Sequence, residues 1–305
     1  MPQVDRSYAD GPYGQMHVRI ARPPATATAT VAVATPLLCI HMSPMTGRVF
    51  APLLARMGTD RIALAFDTPG FGMSDAPPSP PAIEDYARAL LAGLDALGIA
   101  GPVDLMGYHT GSMISVALAT LAPERVRRVL MVSAPIFPEA ERRAFRAYYA
   151  HREPEADGSH ILRRWTGFVH HHLRPGVTVS EVNDAFRDAL LGGNTEWWGH
   201  RAAFDYDLAA DLARVGQPVL ILNTGDDLDQ QTRRADGVAA HSRILDVPGW
   251  GHGFIDRHAA DVETVARAYL DAADGAEFAT VAAPPSALGP RYPERTGSFA
   301  PSATA

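Results

Sequence analysis

Short apolar runs alternate with helical patterns through most of the chain, and this alternation restricts the fold more than any other feature of the sequence. The runs predicted as strands lie at 37–42, 61–66, 103–106, 126–132, 218–223 and 242–247. The helical patterns lie at 48–58, 82–97, 110–121, 229–240 and 254–273. Strands linked through helices pair in parallel by right-handed crossovers, and the helices pack on both faces of the sheet. We therefore predict an α/β fold, preceded by antiparallel strands at 14–21 and 31–35.

The alternation is interrupted once. After Pro135 the strand patterns stop, and residues 138–212 have helical patterns until the next strand. This interruption predicts a helical cap inserted into a single domain, whose core comprises residues 1–137 and 213–274. Residues 275–305 are rich in Ala, Pro, Ser and Thr, so they are predicted to form a disordered tail.

Composition and charge exclude several classes of partner. The chain of 305 residues has a formal net charge of −7, all of its basic residues are arginine, and no basic stripe is present, so nucleic acid is not expected as a partner. The single cysteine, Cys39, excludes an internal disulfide and fits a reducing compartment. The N-terminus lacks the apolar core of a signal peptide, and the apolar stretch 30–40 is too short to cross a bilayer. We expect a cytoplasmic protein without a membrane partner, and the sequence leaves the oligomeric state open.

The strongest local signal is the turn Gly107-Tyr108-His109-Thr110-Gly111, between a predicted strand and a predicted helix. It has the Gly-x-nucleophile-x-Gly pattern of a nucleophile elbow, in which a sharp turn holds the middle residue in a strained conformation. Glycines flank the turn because larger side chains would collide with neighbouring strands. The side chain of His109 is therefore expected at the carboxyl edge of the sheet, where open α/β folds bind ligands.

Together with four further motifs, this turn resembles the α/β-hydrolase superfamily, in its epoxide-hydrolase and esterase-like branch, over residues 14–273. The further motifs are His41-Met42, Asp67-Thr68-Pro69-Gly70-Phe71-Gly72-Met73-Ser74, Asn223-Thr224-Gly225-Asp226-Asp227 and Pro248-Gly249-Trp250-Gly251-His252. Their order and spacing are similar to those of the family. The resemblance implies an α/β-hydrolase fold with a mostly parallel central sheet, flanking helices and an inserted helical cap.

The resemblance also implies roles for individual residues. His252 is the expected general base, presented by the loop after the last strand. Asp226 is the expected acid that orients His252, because it lies three residues beyond Asn223. Asp227 and Asp229 remain alternatives for the acid.

His109 departs from the family, whose covalent enzymes carry a Ser, Cys or Asp at this position. Three interpretations of His109 stay open: the imidazole attacks the substrate, it serves as an acid or base that faces His252, or it fills the elbow of a protein without catalysis. Ser112 and Ser43 are alternative nucleophiles, although neither occupies the elbow.

The oxyanion hole and the substrate pocket are expected from the same resemblance. The N–H groups of Met42 and Thr110 are the predicted oxyanion-hole donors. The candidate substrate-binding residues are His41, Ser43, Tyr108, Trp165, Trp197, Trp198 and Trp250. Because much of this set is aromatic, we expect a small apolar molecule as the substrate.

The sequence predicts no metal and no cofactor. His170-His171-His172 point in different directions on a helix, and no spaced carboxylate or cysteine accompanies them. No glycine-rich phosphate-binding motif follows any predicted strand.

Three functions are compatible with these features. The first is hydrolysis of a small apolar ester, thioester or lactone by a His–Asp pair and a backbone oxyanion hole, with His109 in place of the usual nucleophile. The second is a non-hydrolytic reaction, that of a lyase or a cofactor-free oxygenase, in which the His–Asp pair abstracts a proton. The third is ligand binding without catalysis.

Overall fold

The central element of the structure is one twisted sheet. The computed structural model describes residues 1–24, 34–174 and 176–289. The strands are β1 (Val4–Gly11), β2 (Gly14–Ala21), β3 (Leu37–Ile40), β4 (Ala63–Phe66), β5 (Val103–Tyr108), β6 (Val126–Val132), β7 (Val219–Asn223) and β8 (Ser242–Asp246). In the described residues these eight strands form one sheet in the order β1-β2-β4-β3-β5-β6-β7-β8. β3 to β8 pair in parallel, so the predicted mostly parallel α/β class is confirmed.

Helices cover both faces of the sheet. They are α1 (Ala51–Met57), α2 (Ile83–Ala96), α3 (Thr110–Leu121), α4 (Glu139–Tyr148), α5 (Ser159–His172), α6 (Val179–Ala189), α7 (Trp197–Asp205), α8 (Leu208–Leu212), α9 (Asp229–Arg233), α10 (Phe254–Arg257) and α11 (Ala259–Leu270). α2 and α3 pack on one face, and α1, α10 and α11 pack on the other. In β3, Leu38 and Ile40 belong to the first core cluster, whereas Leu37 and Cys39 belong to the second. A strand buried on both faces reads as a continuous apolar run, which is why the sequence reveals β3.

The N-terminal hairpin differs from the sequence prediction. β1 and β2 are antiparallel, with Gly11 paired to Gly14 at the turn. β2 matches the strand predicted at 14–21, but β1 is an edge strand whose mostly polar, exposed residues give little apolar signal. The strand predicted at 31–35 lies mostly outside the described residues, and Ala34 and Thr35 are not in a strand.

The chain between β6 and β7 is helical, as the pattern of residues 138–212 predicts. α4 to α8 follow one another in this segment. Leu208 and Leu212 of α8 belong to the same buried cluster as residues of the strands, so the end of the segment packs into the core. Among the described residues no helix is both long and apolar enough to cross a membrane.

The first part of the segment after α11, up to residue 289, packs against the loop that carries Gly249 and Trp250. The Gly249 N–H donates to the Ala287 carbonyl (2.9 Å), and Ala287 and Val281 are buried. Trp250 Nε1 donates to Ser286 Oγ (3.2 Å). The sequence predicts a disordered tail from residue 275, but residues 281–287 make ordered contacts. A few small apolar residues are enough to cover the loop that carries Trp250. Residues 290–305 lie outside the described residues.

We predict that Gly111→Ala destabilises the fold. A Cβ atom at Gly111 would lie 2.0 Å from the carbonyl oxygen of Ile40, which is backbone and cannot move aside. Relieving this contact should cost about 2 kcal/mol or more of unfolding free energy, measured by urea denaturation. Gly101→Ala is the matched control, because a Cβ atom there meets nothing within 4 Å. If the two variants unfold at the same urea concentration, the close contact between Gly111 and the Ile40 carbonyl is contradicted.

Candidate active site

His109 occupies the turn between β5 and α3 in a strained backbone conformation. Its φ is 49° and its ψ is −107°, in a region that side-chain-bearing residues rarely adopt. A Cβ atom at Gly107 would lie 2.3 Å from the carbonyl oxygen of Gly111, so the turn requires glycine there. The His109 side chain is 13% exposed. The strand-turn-helix geometry expected for an elbow is therefore present.

Asp226, in the loop after β7, holds the imidazole of His109. Its Oδ2 atom lies 2.8 Å from His109 Nε2, and its side chain is fully buried. The same carboxylate accepts hydrogen bonds from Thr224 Oγ1 (2.7 Å), Leu228 N–H (2.9 Å) and Ser133 Oγ (3.3 Å). Burial alone would raise the pKa of Asp226, but the adjacent His109 outweighs burial and lowers this pKa to about 2. Because an ionised carboxylate only accepts hydrogen bonds, His109 Nε2 is the donor, so a neutral His109 ring would carry its lone pair on Nδ1.

His252, in the loop after β8, is paired with a different acid. Its Nε2 atom lies 2.5 Å from Asp227 Oδ1, whereas the expected partner was Asp226. The expected pairing is thus corrected: an imidazole at position 109 reaches the Asp226 carboxylate, and His252 contacts the next residue of the loop. Asp229, the other alternative, accepts from Asn223 Nδ2 (2.6 Å) instead. Burial alone would lower the pKa of His252, but the Asp227 carboxylate raises it above its ordinary value.

Three further histidines surround His252. The ring centroids of His109 and His252 are 5.0 Å apart, and the two rings meet edge to face. This is the arrangement required by the interpretation in which His109 is an acid or base that faces His252. His171 and His172, at the end of α5, lie 5.6 and 5.4 Å from the His252 ring. Burial lowers the pKa of His171 to about 4 and lowers that of His172 as well, so both are neutral at pH 7.

Two sets of three side chains in this cluster have the spacing of metal ligands. One set is His109, Asp226 and His252, and the other is His171, Asp227 and His252. In each set one nitrogen or oxygen atom per residue lies within 4.8 Å of the others.

The cluster opens into a cavity of about 1020 Å³ between the sheet edge and the helical segment. The sheet side contributes Met42, His109, Thr110, Asp227 and His252. The helical segment contributes aromatic residues, namely Phe145, Tyr148, Tyr149, Phe168, Phe186, Trp197 and Phe204, together with histidines, aliphatic residues and the charged side chains of Arg152, Arg163, Arg164 and Glu196. A mainly apolar cleft or cavity with a few convergent polar groups is the usual form of a small-molecule site.

A strained elbow residue, an acid after β7 and a histidine after β8 recur together in one large group of proteins. The family model described as alpha/beta hydrolase fold matches residues 35–259. The chain belongs to the alpha/beta hydrolase fold family. This confirms the predicted superfamily and the prediction that the chain is an enzyme of this fold, at the level of the family. It leaves the reaction open.

Individual relatives are distant. An uncharacterised protein of Synechocystis sp. is 27% identical over 144 residues, which cover 46% of this chain and 51% of that protein, so the chain spans about half of its length. A non-heme chloroperoxidase of Streptomyces lividans is 25% identical over 215 residues, or 64% of this chain and 76% of the relative. The crystal structure of a hydrolase from Pseudomonas aeruginosa PA01 has a TM-score of 0.71 at 21% identity and covers 88% of this chain and 99% of that one. The structural likeness establishes the fold.

Only two of the seven candidate substrate-binding residues, Ser43 and Trp197, line the cavity of this hydrolase-fold protein. His41 lies behind the wall: its Nε2 accepts from the Thr68 N–H (2.9 Å), and its Nδ1 donates to the Met42 carbonyl (2.9 Å). It therefore fixes the loop that carries Met42.

The other four candidates are also placed away from the cavity wall. Tyr108 is buried beneath the elbow, where its hydroxyl accepts from the Gly253 N–H (3.2 Å). Trp250 is fully buried and stacks on Phe254. Trp165 packs on Phe186, and Trp198 lies against the backbone at Gly70. These aromatic side chains are packing residues, and the sequence alone does not distinguish them from cavity residues.

Two cavity residues were missed by the sequence predictions. Tyr149 and His200 stack on each other with centroids 4.1 Å apart, and both line the cavity. Burial lowers the pKa of His200 to about 4 and keeps it neutral at pH 7. Neither residue belongs to a sequence motif. The packing of α4 against α7 brings them together, and spacing along the chain does not reveal this contact.

The candidate oxyanion-hole residues both line the cavity next to His109. Thr110 is the first residue of α3, so its N–H has no acceptor within the helix. The alternative nucleophile Ser112 is fully buried, and its hydroxyl donates to the carbonyls of Gly107 (3.0 Å) and Val132 (3.1 Å). Its hydroxyl is therefore occupied with closing the elbow.

We predict that the neutral ring of His109 is protonated at Nε2, because the Asp226 carboxylate accepts from this atom. Long-range ¹H–¹⁵N correlation of histidine-labelled protein distinguishes the two tautomers. Asp226→Asn should remove the preference for Nε2–H, whereas Asp227→Asn, a change of the same size at the adjacent residue, should preserve it. An Nδ1–H tautomer in the wild type would contradict the assigned pairing.

Proposed function

We propose that this protein hydrolyses a small apolar ester, thioester or lactone, and that the His109–Asp226 pair activates the attacking water. The observation that carries this proposal is the 2.8 Å hydrogen bond between His109 Nε2 and Asp226 Oδ2. A carboxylate that holds an imidazole in one tautomer is the acid–base pair of a catalytic triad. Such a pair accepts a proton from a nucleophile on the other side of the ring.

The direct contact with the acid favours water over His109 itself as the nucleophile. In a Ser-His-Asp triad the imidazole stands between the acid and the nucleophile. Here His109, the elbow residue, contacts the acid Asp226 directly and therefore takes the place of the base. The group that it activates must then come from the cavity. A water molecule at His109 Nδ1 fulfils this role without a covalent intermediate.

The remaining polar groups of the cavity complete the proposed reaction. The N–H groups of Met42 and Thr110 would stabilise the negative charge that develops on the substrate carbonyl. His252, which faces His109 at 5.0 Å between ring centroids and is held by Asp227, would protonate the leaving oxygen or sulfur. The hydroxyl of Ser43 lies within the same cavity wall.

The proposed substrate class follows from the cavity. The surface of the cavity is mainly apolar, and the helical segment places aromatic side chains such as Tyr149 and Trp197 on it. We propose that residues 138–212 act as a cap domain that excludes water from an apolar substrate, and that the enzyme works in the cytoplasm, in keeping with its one cysteine, free and buried.

A second candidate is non-hydrolytic proton abstraction, as in a lyase or a cofactor-free oxygenase. Two features favour it. Position 109, the middle of the elbow, carries neither a hydroxyl nor a thiol, and the hydroxyl of Ser112 is hydrogen-bonded to backbone carbonyls within the core. The His109–Asp226 pair would then take a proton from carbon rather than from water. Carbon–carbon cleavage or oxygen uptake without ester hydrolysis would identify this reaction.

We expect His109→Ala and Asp226→Asn each to lower kcat for aryl esters and thioesters by about 100-fold or more, which is the usual contribution of a general base. Rates are compared at saturating substrate on folded protein of equal melting temperature. His241→Ala, at an exposed histidine remote from the cavity, is the matched control and should retain full activity. If wild type turns over and His109→Ala is as active, the proposal is wrong. If the wild type hydrolyses none of the aryl esters and thioesters tested, non-hydrolytic proton abstraction is favoured.

A further inference from the structure

The helical segment and the core together form a cluster that the proposed reaction does not fully use. His171 comes from α5, Asp227 from the loop after β7 and His252 from the loop after β8. His171 Nδ1 lies 3.6 Å from Asp227 Oδ2, and His252 Nε2 lies 2.5 Å from Asp227 Oδ1. No metal was predicted at the run His170-His171-His172, because no carboxylate accompanies it along the chain. The fold brings such a carboxylate, that of Asp227, next to His171.

The geometry suits a divalent transition metal. Zinc binds histidine nitrogen and carboxylate oxygen at about 2.0–2.2 Å, so ligand atoms around a tetrahedral ion are about 3.4 Å apart. The separation of 3.6 Å between His171 Nδ1 and Asp227 Oδ2 is within about 0.2 Å of this distance. The His252–Asp227 contact is a hydrogen bond, and it would widen by about 1 Å when an ion replaces the proton between them.

Two observations favour this set over the neighbouring one. In the set with His109, the Asp226 carboxylate is fully buried and already accepts four hydrogen bonds. Asp227, in contrast, has a side chain that is 42% exposed and lines the cavity. His252 belongs to both sets, and its buried Nδ1 atom has no hydrogen-bond partner among the described residues.

We propose that His171, Asp227 and His252 bind one divalent transition-metal ion, of the zinc class, at the boundary between the helical segment and the core. Two imidazoles and one carboxylate form a three-ligand set that leaves a further coordination position open. All three residues line the cavity, so this position faces the space where a substrate would lie. The ion would also link α5 to the two loops of the core. The proposal does not rest on the proposed water activation, because His109 and Asp226 are not ligands; a bound ion would, however, take the place of His252 as the group that stabilises the leaving oxygen or sulfur, because a ligating histidine is neutral.

The test is a binding measurement that does not depend on turnover. Tag-free, chelator-treated protein is titrated with Zn²⁺ in competition with a chromophoric chelator, and with Co²⁺, whose visible absorption bands report a site with few ligands. His171→Ala and Asp227→Asn are compared with His170→Ala, which removes the adjacent histidine outside the cluster. Asp226→Asn tests the alternative set. Circular dichroism and melting of the metal-free variants show whether each one folds.

We expect wild type to bind one equivalent of zinc. Loss of a direct ligand should weaken binding by about 100-fold or more in His171→Ala and Asp227→Asn, since even changes to groups that only orient ligands cost 10–100-fold. His170→Ala and Asp226→Asn should bind as wild type. The proposal is overturned if wild type binds no stoichiometric metal, if His171→Ala and Asp227→Asn bind as tightly as wild type, or if Asp226→Asn alone abolishes binding.

Discussion

The hydrogen bond between His109 Nε2 and Asp226 Oδ2 connects two loops of the candidate active site, and the other polar groups of the site are arranged around it. It links the turn after β5 to the loop after β7 and fixes which ring nitrogen of His109 is free. It also occupies the acid that would otherwise orient His252, which is consequently paired with Asp227. The site thus has two adjacent His–Asp pairs in place of one Ser-His-Asp triad, and Asp226 lies behind the cavity wall.

This arrangement depends on how closely the backbone packs beneath it. Gly111 allows α3 to approach β3, and Gly107 allows α3 to approach β5, at distances that a Cβ atom would prevent. The Ser112 hydroxyl then satisfies two carbonyls at the turn. Since these contacts hold His109 at φ 49°, the direction of its side chain is set by the fold before any ligand binds. Such preorganisation is what a general base requires, because the cost of orienting it is not incurred during the reaction.

The sequence predicts the core well because its signals are local. The apolar run of β3, the glycines around His109 and the helix Thr110–Leu121 each follow from nearby residues, and the structure contains them. It does not predict the pairing of Asp226 and Asp227, since both lie on one loop and only the three-dimensional reach of the two imidazoles separates them. Likewise, Trp165 and Trp250 resemble pocket residues in the sequence, but Trp165 packs on Phe186 and Trp250 is buried in the core, while the stacked pair Tyr149 and His200 carries no motif. Contacts between the helical segment and the core are non-local, so spacing along the chain does not reveal them.

The most direct test of the account asks whether His109 acts on water or becomes acylated. Wild-type enzyme is mixed with an ester that it turns over, quenched with acid during the first turnovers, and its intact mass is measured. If the His109–Asp226 pair activates water, the protein keeps its unmodified mass at every time point while product accumulates. A transient mass increase equal to the acyl group, located by peptide mapping at His109, would contradict this account.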